Sequence, residues 1–203
     1  MSVLQWRPSL LTVYHPFMWK NRLRAWGWRT IALAAMMGSA VSGCGDDGPT
    51  GPTPVTLSSL FGDQLYRGDG SVVGAGALAG TPIIGIYFAS MGCSACGSFT
   101  PMLVDAYTQW RDDGKPFEVV LVTSGITDEG LFEYMTDSGM PWLALSPSSD
   151  KVLSLVQRYG IQWVPTLIII DSAGNTLSFT GREDVAERGA AAYDTWVGAS
   201  AGG

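Results

Sequence analysis

The stretch Thr81–Ala89, Thr-Pro-Ile-Ile-Gly-Ile-Tyr-Phe-Ala, constrains this chain most. It is a nearly continuous apolar run enriched in β-branched and aromatic residues, which is how a strand buried on both faces reads. Such a strand needs a packed layer on each side, so the fold must place a sheet between helices. Phe117–Thr123 and Thr166–Asp171 repeat the pattern. Between the first two runs, Phe99, Met102, Leu103, Ala106, Tyr107 and Trp110 recur at helical spacing. They predict a helix over 96–113, stopped by Gly114 and Pro116. Pro101 inside it cannot donate to residue 97, so a kink is expected there. Strand, helix and strand together predict a parallel βαβ unit.

The remaining elements follow from local signals. Gln64–Arg67 and Ser71–Val73 flank Gly68-Asp-Gly70 and predict a hairpin. Thr127 caps a helix carrying Leu131, Phe132 and Met135. Trp142–Leu145 is a short extended segment, with Trp142 assigned to the core rather than to a substrate platform. Ser149-Asp150 opens a helix with Val152, Leu153, Val156 and Tyr159 on one face and Gly160 as its stop. Ser172–Asn175 turns the third buried run into an antiparallel partner at Thr176–Thr180, and a last helix is expected from about Glu183 to Val197. The fold class is α/β with three layers: a central mixed sheet, an antiparallel edge hairpin, and helices on both faces. The domain is expected over 57–198, followed by a fraying tail at 199–203.

Charge divides the chain. Residues 1–43 carry five basic residues and no acid, whereas residues 44–203 carry seven basic and 18 acidic residues, a net −11. That excess excludes a phosphate-binding surface, so no nucleic-acid partner is expected. The only histidine, His15, lies in the basic segment, so imidazole catalysis and His-ligated metal are excluded from the main body. Residues 18–29 are basic and aromatic, and residues 30–40 are apolar but too few to span a bilayer, which takes ~20. This is the plan of an export signal, with Met18 a better start than Met1. Val41-Ser42-Gly43-Cys44 follows and resembles the lipobox of bacterial lipoproteins. The resemblance implies cleavage after residue 43 and lipid on Cys44. A plain secretory signal with Cys44 as a stray thiol is the alternative. Residues 45–54, rich in Gly, Pro and Asp, read as a tether within a 44–56 linker. The expectation is an exported lipoprotein anchored to a membrane through Cys44, facing the periplasm or cell exterior.

Cys93-Ser94-Ala95-Cys96 falls where the first buried strand ends and the long helix begins. First-turn amides have no intrahelical partners, and the helix dipole adds partial positive charge there. A Cys93 thiolate would therefore be favoured below the ~8.5 of free cysteine, with Cys96 in reach to resolve a mixed disulfide. A structural disulfide, a zinc half-site and inert thiols are the competing readings. A four-residue loop restrains little chain, and a zinc site lacks two further ligands. Trp163-Val164-Pro165-Thr166 places a proline before a buried strand. A cis Val164–Pro165 bond would present the Val164 backbone to an incoming substrate strand.

These pieces together resemble the thioredoxin superfamily, in its tryparedoxin/nucleoredoxin-like branch. The resemblance is carried by Leu60-Phe-Gly-Asp-Gln-Leu, Gly85-Ile-Tyr-Phe-Ala-Ser, the CxxC, Phe99-Thr-Pro-Met-Leu, Phe117-Glu-Val-Val, Met140-Pro-Trp-Leu-Ala and Tyr159-Gly-Ile with Val164-Pro165-Thr-Leu. It implies Cys93 as nucleophile, Cys96 as resolving thiol, Pro165 as the facing cis-proline, and Pro101 as the helix-kinking proline. It also puts Tyr87 where many thioredoxins keep a buried aspartate; Tyr87, Trp163, Val164 and Pro165 are the candidate substrate-binding residues. The branch pattern Trp-Cys-Pro-Pro-Cys-Arg is here Gly92-Cys-Ser-Ala-Cys-Gly97. Without a basic or imidazole neighbour, Cys93 relies on the helix terminus alone.

The expected function is a membrane-anchored extracytoplasmic thiol–disulfide oxidoreductase, reductase-leaning, acting on protein thiols and disulfides. No metal and no cofactor beyond the Cys93–Cys96 pair is called for. Similarity to TlpA-like anchored thioredoxins implies a transmembrane thiol electron donor. The alternative is a thioredoxin-like peptide-binding lipoprotein with a non-catalytic CxxC.

Overall fold

The computed structural model of the protein describes residues 55–200. The expected leader, Cys44 and the tether through Pro54 lie outside the described residues, as do residues 201–203. In chain order the elements are α1 (Leu57–Phe61), β1 (Gln64–Tyr66), β2 (Val72–Gly74), a 3-10 turn (Ala75–Leu78), β3 (Ile83–Phe88), α2 (Ser94–Asp112), β4 (Phe117–Val122) and α3 (Asp128–Asp137). They continue with β5 (Leu143–Ala144), α4 (Asp150–Tyr159), β6 (Thr166–Asp171), β7 (Thr176–Ser178), α5 (Gly181–Arg188), a second 3-10 turn (Gly189–Ala191) and α6 (Ala192–Ser200). Among the described residues no helix is long and apolar enough to cross a membrane.

The strands form one seven-stranded sheet in the order β2-β1-β5-β4-β3-β6-β7. Strands β3, β4 and β5 are mutually parallel, and every other pairing is antiparallel. The antiparallel character therefore goes beyond an edge hairpin, because β6 itself runs against β3.

Alternation along the central strands builds the three layers. On β3, Ile83 and Tyr87 face one core while Ile84, Ile86 and Phe88 face the other. On β6, Leu167 and Ile169 point opposite to Ile168 and Ile170. The first core is closed by α2, α3, α5 and α6 through Leu103, Trp110, Leu131, Val185 and Trp196. The second is closed by α1 and α4 through Leu60, Phe61, Val152 and Leu155. Each such side chain taken fully out of water contributes roughly 1.5–3 kcal/mol. Gly85 sits in the middle of β3 because a Cβ there would meet Phe117 and Leu167 side-chain carbons at 3.1 Å.

Two helices differ from expectation. On α4 the buried residues are Val152 and Leu155, whereas Leu153 is 61% exposed. The last helix is two helices: Gly189 adopts φ 55° and ends α5 before a 3-10 turn leads into α6. Trp142 lies in the core, edge-on to Tyr87 and Tyr107 with ring centroids 6.1 and 5.7 Å away.

Candidate active site

The site forms where the parallel strands end. Phe88, the last residue of β3, lies beside Val122 of β4 and Thr166 of β6. The chain leaves β3 through Ala89, whose N–H donates to the Val122 carbonyl at 3.2 Å. Gly92, at φ 77°, then turns it into α2. A left-handed backbone of that kind suits glycine, which lacks the Cβ that would clash.

Cys93 is the N-cap of α2, extended at φ −78° and ψ 110°. Its Sγ accepts the Cys96 N–H at 3.1 Å, the place a serine or aspartate oxygen usually fills. The two cysteines are joined as a disulfide with Cα atoms 5.2 Å apart. They are not equivalent: Cys93 is half-buried, while Cys96 is 1% exposed and packed in the first core. A first-turn amide aimed at sulfur stabilises negative charge on it once the disulfide is open. The accessible sulfur can attack from outside, and the buried one can reach only its neighbour.

Across from Cys93 lies the loop before β6. The Val164–Pro165 peptide is cis, and the Val164 carbonyl oxygen lies 3.8 Å from Cys93 Sγ. Pro165 is buried, Val164 is half-buried, and Trp163 is 75% exposed. The Thr166 hydroxyl donates to the Trp163 carbonyl at 2.9 Å and pins the loop to the strand. The structure thus brings together Cys93, Cys96, Val164 and Pro165, with Trp163 standing outward beside them.

Tyr87 is a correction. It was expected among substrate-binding residues, but it is fully buried, with its hydroxyl 2.8 Å from that of Thr100. Burial pushes the phenol up to about 12. The inward face of β3 put it there, beneath α2 and out of reach of a client. Sequence reasoning missed Thr100, although its place one turn beyond Cys96 signalled a shared helix face. It also missed Met91, which is 44% exposed two residues before Cys93.

The chain is similar to known proteins in sequence and in fold. A thioredoxin-like family model matches residues 80–176. Thioredoxin related protein 16 of Carcinoscorpius rotundicauda is 35% identical, and the alignment covers 68% of this chain and 96% of that one at a TM-score of 0.60. The chain belongs to the thioredoxin-like family, and its CxxC is that of a thiol–disulfide oxidoreductase.

Within that family its relatives include the nucleoredoxins and tryparedoxins. Nucleoredoxin of Danio rerio is 33% identical over 138 residues, which is 68% of this chain and 32% of that protein. Tryparedoxin I of Crithidia fasciculata is 30% identical, with 63% of this chain and 87% of that one aligned at a TM-score of 0.55. The chain spans about a quarter to a third of the length of the nucleoredoxins it matches.

Proposed function

We propose that the protein is a membrane-anchored, extracytoplasmic protein disulfide reductase. The observation that carries this reading is the asymmetry of the pair: an accessible Cys93 sulfur at a helix cap, a buried Cys96 within one turn, and the Val164 backbone opposite. Reduced Cys93 attacks one sulfur of a client disulfide. A Cys93–client bond forms, the client S–S bond breaks, and the leaving thiolate takes a proton. Cys96 then attacks Cys93 Sγ, re-forming the Cys93–Cys96 disulfide and releasing the second client thiol. Two electrons have passed from the pair to the client, and a dithiol donor must return them. In the cell that donor is a transmembrane thiol carrier; in the test tube dithiothreitol replaces it.

The client lies along residues 163–165. The Val164 N–H makes no hydrogen bond among the described residues, so an extended client segment has a free donor to pair with. The anchor rests on Val41-Ser42-Gly43-Cys44 and the basic leader, with two acyl chains sufficient for stable attachment.

The decisive assay is insulin-disulfide reduction by the full chain with dithiothreitol. Cys93→Ser abolishes it, and Cys96→Ser accumulates a client mixed disulfide. Undiminished activity in Cys93→Ser would replace this reading with a peptide-binding lipoprotein whose disulfide is passive. Palmitate labelling lost in Cys44→Ala supports the anchor; labelling that survives removes it.

A further inference from the structure

A second cluster of charge lies toward the far end of α2 from the cysteines. Arg67, Tyr107, Thr108, Arg111 and Pro141 line a cleft of about 220 Å³. Arg111 stands near the C-terminal end of α2, whose N-cap is Cys93; at 1.5 Å per residue the two are roughly 27 Å apart along the helix. The cleft is therefore separate from the redox site. Two of its lining residues are arginines and none is an acid, in a chain that from Cys44 onward holds seven basic and 18 acidic residues.

Neither guanidinium takes part in an ion pair among the described residues. Arg111 donates one N–H to the Tyr107 hydroxyl at 3.2 Å and lies over that ring, 5.8 Å from its centroid. The Tyr107 hydroxyl is committed in turn to Glu118, donating to Oε1 at 3.0 Å. These contacts hold Arg111 in place and leave most of its N–H donors unused. The Arg67 side chain makes no hydrogen bond among the described residues. Burial lifts the ionisation of Glu118, and the charges of Arg111 and Arg67 pull it back down. Both guanidinia thus stand within electrostatic reach of one carboxylate that neither pairs with. A cation in the last turn of α2 also suits the helix dipole, which accounts for Arg111. No such account covers Arg67, which the turn between β1 and β2 carries to the same cleft.

We propose that this cleft binds a small oxyanion, a carboxylate or phosphate group on a free solute, held between the guanidinia of Arg67 and Arg111. The planar fork of N–H donors on each arginine matches a pair of such oxygens, and hydrogen bonds between ions are the stronger kind. The acidic excess of the chain repels a polyanion, but exposed charges more than about 8–10 Å away are screened by salt. For one small ion the two cations in contact with it decide. Glu118 works against the ligand, because its negative charge lies beside both guanidinia. The site stands independently of the redox reading.

The test titrates the full chain calorimetrically with inorganic phosphate and, separately, with succinate, each against sodium chloride at matched ionic strength. At least one of the two is expected to bind with a Kd of about 1 mM or tighter, and which one responds assigns the group as phosphate or carboxylate. Arg67→Gln should weaken that binding about tenfold, the loss of one hydrogen bond between ions. Arg67 lies on an exposed turn, so this variant is expected to fold, and urea unfolding checks that. Glu118→Gln should tighten binding about threefold or more by removing the opposing charge. Lys151→Gln, a basic residue outside the cleft, should change nothing. No binding beyond that of chloride, an affinity unchanged in folded Arg67→Gln, or a Glu118→Gln variant that binds no more tightly would each overturn the proposal.

Discussion

The hydroxyls of Tyr87 and Thr100 lie 2.8 Å apart, both shut away from solvent between β3 and α2. Thr100 stands one turn beyond Cys96, so this bond ties the floor of the site to the helix that carries the cysteines. Removing one partner strands the other in the core. Tyr87→Phe is expected to cost about 1–2 kcal/mol in urea unfolding, and a cycle with Thr100→Val should show coupling near 1 kcal/mol. Additive single effects would mean the two hydroxyls do not support one another.

The same tyrosine predicts an alkaline limit. Its phenol ionises near 10 in the unfolded chain but only at about 12 when folded. The unfolded state therefore releases a proton first, and this contribution to stability is intact below pH 10 and lost as pH rises toward 12. Tyr107, also raised to about 12 by burial and by Glu118 beside it, adds to the same slope. Unfolding free energies measured from pH 8 to 11.5 should fall less steeply in Tyr87→Phe than in the wild type.

Glu118 gives the opposite end of the scale. Its carboxylate accepts the Tyr107 O–H at 3.0 Å and the Val119 N–H at 2.9 Å, yet burial still holds its ionisation above the ordinary carboxylate value of 4.5. The folded state binds the proton more tightly, so this residue's contribution declines as pH climbs from 4.5 through the folded value. Glu118→Gln keeps an acceptor and removes the charge. It should be more stable than wild type at pH 7, with the advantage vanishing below pH 4.5. A variant less stable at pH 7 would show that the charge itself is needed.

Gly181 opens α5 against β6. A Cβ there would meet the Leu167 carbonyl oxygen at 2.8 Å and Ile169 side-chain carbons at 2.9 and 3.0 Å. Backbone cannot yield as a side-chain tip can, so Gly181→Ala should cost roughly 1–3 kcal/mol by forcing helix and strand apart. Thermal unfolding would read this as a lowered Tm, and an unchanged Tm would mean that α5 shifts freely.

On α4, Leu155→Ala should cost about 2–5 kcal/mol, and Leu153→Ala should stay within about 0.5 kcal/mol. Leu155 is 1% exposed and packs with Leu60, Phe61 and Ile168. Urea denaturation of the two variants side by side checks the assignment.

That pair also marks where the sequence stops being legible. Residues 152, 153, 155 and 156 are all apolar, so more than one stripe on α4 satisfies helical spacing. Only the sheet beneath decides which stripe is buried. The break at Gly189 is similar: a single glycine within a helix-compatible run carries little signal, and the packing of α6 through Tyr193 and Trp196 onto Trp110 and Phe117 fixes the turn.

The amino-acid order alone determined the buried strands, the βαβ unit, and the placing of Cys93 at the head of α2, because burial on two faces and an unpaired helix start are written in neighbouring residues. It left open which side chains around the cysteines face water. Tyr87 went inward because its face of β3 lies under α2, and Trp163 stands outward on the loop before β6. Cys93 and Val164, 71 positions apart along the chain, meet only once β3, β4 and β6 are paired. Local sequence sets what a segment can form, whereas the character of a surface depends on which segments the fold sets side by side.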